Sequence, residues 1–138
     1  MDGVLSDATA RQHHLTGKRK DWDAFFDACG DDPLLDDVAP LLELLDRDLA
    51  IVLLTGRPAR VMDLTLEWLD CHKLRWDLLV MRPHGDYSAA RSFKQATVPE
   101  LRAAGLEPVL GFEDDLSNAE MFRESGVPCV YVHSGYYL

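Results

Sequence analysis

The residues of this chain that could do chemistry are carboxylates, a hydroxyl and a few cations, set at the ends of apolar runs. The chain opens Met1-Asp2-Gly3-Val4-Leu5-Ser6-Asp7. Aspartates that exchange phosphoryl groups often stand in the pattern Asp-x-Asp-Gly-x-Leu-x-Asp, where the first Asp is the nucleophile and the second the acid/base. Asp2 falls on the second Asp and Met1 on the x, so the nucleophile's position lies one residue before Met1. Further along come Thr55-Gly56-Arg57 after an apolar run, Arg82 after another, Lys94, and Glu113-Asp114-Asp115 after a third run. Phosphoryl transfer asks a site mainly for positioning and for neutralisation of charge. A carboxylate attacks phosphorus, and a carboxylic acid protonates the leaving oxygen. Mg2+ takes oxygen ligands, commonly one or two carboxylates together with waters and the phosphate. A hydroxyl and a Lys or Arg hold the phosphate oxygens. Asp2, Thr55, Lys94, Glu113 and Asp114 supply every part except the nucleophile.

The elements that must position these residues alternate. Asp21–Cys29 is predicted as a short amphipathic helix ended by Gly30. Pro33–Asp46 carries Leu34, Leu35, Val38, Leu41, Leu42 and Leu45 at helical spacing, with Pro40 as a strained position. Leu49–Leu54 is a continuous apolar run that suits a strand buried on both faces. Pro58 opens the next helix, to about Cys71. Strands are expected at Leu78–Met81, Val109–Phe112 and Cys129–Val132. Helices are expected at Phe93–Ala104, restarted at Pro99, and at Leu116–Ser125, closed by Gly126 and capped by Asp115. Alternation of this kind predicts right-handed βαβ units and a parallel sheet. Ligands then bind beyond the carboxyl ends of the strands, where the polar residues named above stand.

Composition bounds the reading. The 138 residues are enough for one domain with a sizeable core, and 47% apolar with 28% charged residues is ordinary for a globular protein. No apolar run approaches the ~20 residues that span a bilayer, and no secretion signal is visible at the start, so a cytoplasmic protein is expected. Cys29, Cys71 and Cys129 form no C-x-x-C pair and read as reduced, mostly buried thiols. With 14 Lys and Arg against 24 Asp and Glu, the net charge of −10 disfavours binding along many phosphates. One terminal phosphate held by a local basic cluster remains compatible. The dense basic run Lys18-Arg19-Lys20 reads first as a solvated loop. The histidines show no ligand spacing. Trp22, Trp68 and Trp76 read as core, and Asp31, Asp32, Asp36 and Asp37 as solvated.

In order, these residues resemble the haloacid dehalogenase superfamily of phosphohydrolases. Asp2-Gly3-Val4-Leu5 matches the back half of its first motif and Leu54-Thr55-Gly56-Arg57-Pro58 its second. Lys94 matches the third, and Phe112-Glu113-Asp114-Asp115 the fourth. Within it the chain is most similar to the phosphatase domain of polynucleotide kinase-phosphatases. Leu78-Leu79-Val80-Met81-Arg82-Pro83, the Lys94 segment, Ala119-Glu120-Met121-Phe122 and Val132-His133-Ser134-Gly135-Tyr136 carry that likeness. Members carry acidic residues three or four positions before the motif lysine, where this chain has Ala90 and Arg91.

The resemblance implies a Rossmann-like α/β three-layer sandwich with a parallel sheet, spanning residues 1–138 as one domain. Residues 8–48 leave no room for a large cap. It implies a Mg2+-dependent phosphatase acting on a phosphorylated substrate, a 3′-phosphorylated nucleic acid end first and a nucleotide next. Asp2 would be the acid/base and offer its carbonyl to the metal. Thr55, Arg57, Arg82 and Lys94 would hold phosphate, and Asp114, supported by Glu113, would bind Mg2+. A kinase domain or an oligomeric partner is left open. The motif arithmetic at Met1 implies that the central strand and its nucleophile are absent from the chain as given, which predicts weak or no activity and low stability. Three origins stay open: a longer natural product in which Met1 is internal, a non-catalytic binding module, or a strand supplied by another polypeptide.

Overall fold

The computed structural model describes residues 1–137. They fall into two compact units, the first covering Met1–His84 and the second beginning at Gly85. Both pair parallel strands across a helix, as α/β alternation demands.

The first unit begins with a tight turn. The Met1 carbonyl accepts from the amides of Val4, Leu5 and Ser6, and Gly3, at φ 73°, sends its own amide to the Ser6 carbonyl at 2.8 Å. That left-handed backbone is one that glycine adopts freely. Ser6 then bridges to Leu34, with Asp7 donating to the Pro33 carbonyl and Leu35 to that of Leu5. A 3-10 segment over Thr9–Leu15 leads to α1, Trp22–Asp27, whose first amides are capped by Asp21 accepting from Ala24.

The long helix expected over Pro33–Asp46 reduces to one turn, α2, Leu41–Leu44. The leucine spacing is helical, but Pro33 and Pro40 lack amides and push the residues before them out of helical backbone. The Arg75 guanidinium then takes the carbonyls of Leu42, Leu45, Asp46 and Leu49, doing for this stretch what an intrahelical ladder would have done.

Strand β1 is Val52–Pro58, later than the apolar run suggested, because Thr55-Gly56-Arg57-Pro58 continues the strand instead of turning into a helix. It alternates rather than burying both faces: Leu53, Thr55 and Arg57 are buried on one side. The period of two therefore places Thr55 and Arg57 on the same face. A 3-10 turn over Ala59–Val61 precedes α3, Met62–Cys71, which buries Thr65, Trp68 and Leu69. Strand β2, Leu78–Arg82, runs parallel to β1 with Thr55 opposite Met81. The register breaks after Thr55, and Arg82 comes to face Pro58. Cys29, Val61 and Met81 pack together below, with Phe26 and Leu79 against them.

In the second unit α4, Ala90–Ala103, buries Lys94, Thr97, Val98 and Leu101. It passes through Pro99 without the expected restart. Pro99 is on the exposed side, where the carbonyl that its missing amide leaves over can be hydrated. Strand β3, Gly111–Glu113, is parallel to β4, Cys129–Tyr131, and α5, Leu116–Glu124, lies between them in sequence with Asp115 as its cap, accepting from Ser117 at 2.9 Å. Arg91 reaches from α4 to the Ser117 carbonyl and to Glu124 at 2.9 Å, and so ties α4 to α5.

Three burial expectations are corrected. Trp22 is 48% exposed, because α1 turns it outward while Phe25 fills the core. Asp32 is buried, since it faces two arginines. Of the three thiols only Cys29 is buried; all are free.

Candidate active site

Asp2, Thr55, Arg57 and Arg82 belong to the first unit, and Lys94, Glu113 and Asp114 to the second. Each group has a definite geometry.

The opening turn places Asp2 at the mouth of β1. Arg57 Nε and Nη2 donate to Asp2 Oδ1 at 3.0 and 2.6 Å. A second guanidinium, Arg11 Nη2, donates to the same oxygen at 2.8 Å. Oδ2 receives none of these bonds, and the Asp2 side chain keeps 23% of its surface exposed. Behind Asp2 lies Asp32, which accepts from Arg11 Nε at 2.8 Å and Nη2 at 2.6 Å, a forked pair, and from Arg57 Nη2 at 3.4 Å. Ser6 donates to Asp32 and accepts from Arg57 at 3.1 Å, and Arg57 Nη1 reaches Thr65 at 3.2 Å. The Trp68 indole holds the Asp32 carbonyl at 2.7 Å, so α3 fixes the segment that carries it. Two guanidinium charges and two carboxylates thus cancel in a centre where Arg57 is fully buried and Arg11 nearly so.

Arg11, Asp32 and Ser6 were not found by sequence reasoning. Nothing periodic marks them; Asp32 lies 21 residues from Arg11 and 26 from Ser6. Thr55 lies beneath, its hydroxyl accepting the Arg57 amide at 3.2 Å. Arg82 stands at the end of β2 with its Nε buried and unpartnered.

Burial pushes the Asp2 carboxyl up, but the charges of Arg57 and Arg11 outweigh it and bring the pKa down from 3.8 to about 2. A carboxyl depressed in this way adds stability that is complete above its ordinary pKa and is lost as pH falls through the folded value. The gain of about 2 kcal/mol should persist at pH 5 and fade between about pH 4 and 2. In acid-unfolding curves, Asp2→Asn is expected to flatten that limb; an unchanged limb would remove Asp2 from the ion-pair centre.

In the second unit Lys94 Nζ donates to Glu113 Oε2 at 2.6 Å, both side chains buried. Glu113 Oε1 accepts from the Asp115 amide at 3.3 Å and the Asn118 amide group at 3.5 Å. Burial raises the Glu113 carboxyl; Lys94 overrides it, so Glu113 is held as an anion below the usual range. Asp114 is in the opposite condition. Burial lifts it to about 6, the Ser134 hydroxyl opposes that rise, and the Glu113 charge adds to it. Asp114 Oδ2 is buried with no hydrogen-bond partner. An orphaned carboxylate oxygen whose charge is uncompensated is a fitting ligand for a hard cation, which often needs only one or two protein carboxylates. No group of three or more His, Cys, Asp or Glu able to hold a metal occurs among the described residues. No helix among them is long and apolar enough to cross a membrane.

The parallel α/β pairing, the aspartate–glycine turn, Thr55 within β1, Lys94 on α4 and the acidic pair at the end of β3 fit a phosphatase domain of the haloacid dehalogenase class, which the family match shows. Within that class, the chain belongs to the family described as the polynucleotide kinase PNKP phosphatase domain, whose sequence profile matches residues 1–137. The solved structures similar to it include two complexes. One, described as the structure of the Pnkp1/Rnl/Hen1 RNA repair complex, contains a chain 24% identical with a TM-score of 0.77, covering 96% of this chain and 40% of that one. The other, described as the structure of the Pnkp1/Rnl/Hen1 complex, is 26% identical with a TM-score of 0.78, covering 96% of this chain and 43% of that one. The chain thus spans about two fifths of the length of the solved chains it matches. No curated protein matches it.

Proposed function

We propose that this chain is the phosphatase part of a Mg2+-dependent phosphomonoester hydrolase acting on 3′-phosphorylated nucleic acid ends, in the cytoplasm. The observation that carries the reading is the convergence of Arg11 and Arg57 on one oxygen of Asp2. A forked guanidinium suits a phosphate oxygen as well as a carboxylate. A substrate phosphate can therefore draw an arginine from Asp2. The loss of that positive charge raises the Asp2 pKa from its resting value, which is the direction a general acid needs. Asp2, once it has taken a proton from solvent, gives that proton to the leaving oxygen as the bond to phosphorus breaks. The first Asp of the motif would be the attacking carboxylate, and water would release the phosphate from it in a second step.

The family's motif order gives Thr55, Arg57, Arg82 and Lys94 to the phosphate oxygens. It gives Asp114 to Mg2+, with Glu113 supporting through Lys94 and the Asp2 carbonyl as a further ligand. The ion would neutralise charge on the transferring group as a Lewis acid. A kinase domain and an assembly partner belong to this proposal, since the solved relatives are longer chains within complexes.

One observation favours a second reading, a non-catalytic binding module. Asp2 rests as a well-compensated anion, a state that serves an ion-pair lock better than an acid. The test is to isolate the protein from its own cells, weigh its N-terminal peptide and measure phosphate release from a 3′-phosphorylated oligonucleotide with and without Mg2+. An Asp before Met1 together with Mg2+-dependent release is the expected result. Authentic initiation at Met1 with no release would select the binding module. Preference for small free sugar phosphates over the oligonucleotide would overturn the substrate assignment.

A further inference from the structure

The loop after the first 3-10 segment concentrates positive charge on a chain of net charge −10. The Asp21 amide donates to the His14 carbonyl at 2.9 Å, closing residues 14–21 into a loop with tied ends. Thr16 anchors it again through its hydroxyl to the His13 carbonyl at 3.0 Å. Lys18, Arg19 and Lys20 are all exposed there, and among the described residues none of them forms an ion pair. The nearest acids on α1 are otherwise engaged: Arg60 pairs with both Asp23 and Asp27, and Asp21 caps the helix.

Directly after the loop stands Trp22, 48% exposed. Its ring lies nearly parallel to Phe26 at 5.9 Å and edge-on to Phe25 at 5.8 Å. Lys20 Nζ sits 5.7 Å from the Trp22 ring centroid. The Phe25 ring in turn lies 4.2 Å below the Arg11 guanidinium, which grips Asp2. A supported aromatic face with unpaired cations beside it is thus joined, through one phenylalanine, to the arginine at the candidate site.

Tryptophan with a neighbouring ammonium is the pairing that receives an unstacked base and its phosphate. A base that takes the place of Lys20 over the ring gains a π-face, and the released ammonium meets the adjoining phosphate. A duplex, with its bases stacked inside, offers no such face. We propose that the His14–Asp21 loop and Trp22 form a docking platform for single-stranded nucleic acid, receiving the strand whose phosphorylated end reaches Asp2. The platform rests on the phosphatase reading only for that last step.

The test uses the full natural protein and a fluorescein-labelled single-stranded oligonucleotide carrying a 3′-phosphate, followed by anisotropy. Trp22→Ala is expected to weaken binding about 5- to 50-fold, while Trp22→Phe, which keeps a π-face, stays within about 3-fold of the natural protein. Replacing Lys18, Arg19 and Lys20 together by Ser should lower the slope of log affinity against log salt by about 2, roughly 0.7 for each phosphate no longer neutralised. Oligonucleotide binding should also quench tryptophan fluorescence in the natural protein and not in Trp22→Ala, a readout independent of any change in folding stability. Unchanged affinity and salt slope in both variants would overturn the platform, as would equal affinity for a blunt duplex or displacement by a poly-Glu peptide at equal charge. Trp22-dependent binding without phosphate release would leave the platform standing and remove the phosphatase reading alone. Phosphate release with Trp22-independent binding would do the reverse.

Discussion

Asp32→Ala is expected to cost about 3–5 kcal/mol of folding stability, the range for breaking one side of a buried ion pair. Asp32 accepts two bonds from Arg11 and one each from Arg57 and Ser6. Truncating it leaves two buried guanidinium groups facing the single carboxylate of Asp2, and a buried charge without a partner is what makes such changes severe. Against a typical total of about 5–15 kcal/mol, the loss is a large fraction. Urea unfolding should show it as a fall in midpoint at constant slope. Asp32→Asn keeps the shape and one acceptor and should fall between the two proteins. An unshifted midpoint in Asp32→Ala would mean that water compensates both arginines and that the centre is open.

Asp114→Asn is expected to act in opposite directions on stability and on turnover. In the metal-free protein Asp114 is raised to about 6. A carboxyl raised in the folded state makes the fold less stable as pH climbs from its ordinary value through the raised one, because the folded chain binds the extra proton. At neutral pH the ionised group is therefore a liability. The amide should relieve it, on the order of 1–3 kcal/mol, visible as a higher Tm without metal and a flatter stability profile between about pH 4 and 6. Under the proposed function, the same change removes the charged oxygen assigned to Mg2+. Mg2+-dependent phosphate release should drop by about a hundredfold or more, and added Mg2+ should no longer raise Tm. Retained turnover would sink the metal assignment. A lowered metal-free Tm would sink the account of Asp114 as an uncompensated charge. Exchange of stability for function at one residue is common in active sites.

Much of this was legible in the residues. Asp115 followed by the Leu116 helix is local information, a cap and a periodic face, and it came through with its end within a residue. The strands were found through their apolar runs, but Leu49–Leu54 was placed too early. The strand gains its order from pairing with β2: Thr55 faces Met81, and Gly56 and Arg57 form an irregular step that the Pro58–Arg82 pair closes. The helix over Pro33–Asp46 failed for the converse reason: its leucines are periodic, but Arg75 supplies a non-local set of donors that a pattern cannot anticipate. The candidate site shows the same division. Asp2, Arg57, Lys94 and Asp114 stand in motifs, whereas Asp32 sat among Asp31, Asp36 and Asp37 and looked like another solvated acid. Only the chain reversal that pairs Ser6 with Leu34 brings Asp32 to the arginines. Trp22 was misread because an apolar residue on a short helix can face either way, and here the surface took it.

Arg75 has a consequence for the order of events in folding. Its guanidinium lies 26 to 33 residues from the carbonyls it collects. Residues 42–49 thus receive their final bonds only after β1, α3 and the approach to β2 have closed the intervening loop, whose entropy must be met first. The stretch that reads in sequence as the most self-sufficient helix of the first unit is one whose order is borrowed, and it should be the late-forming, early-opening part of that unit.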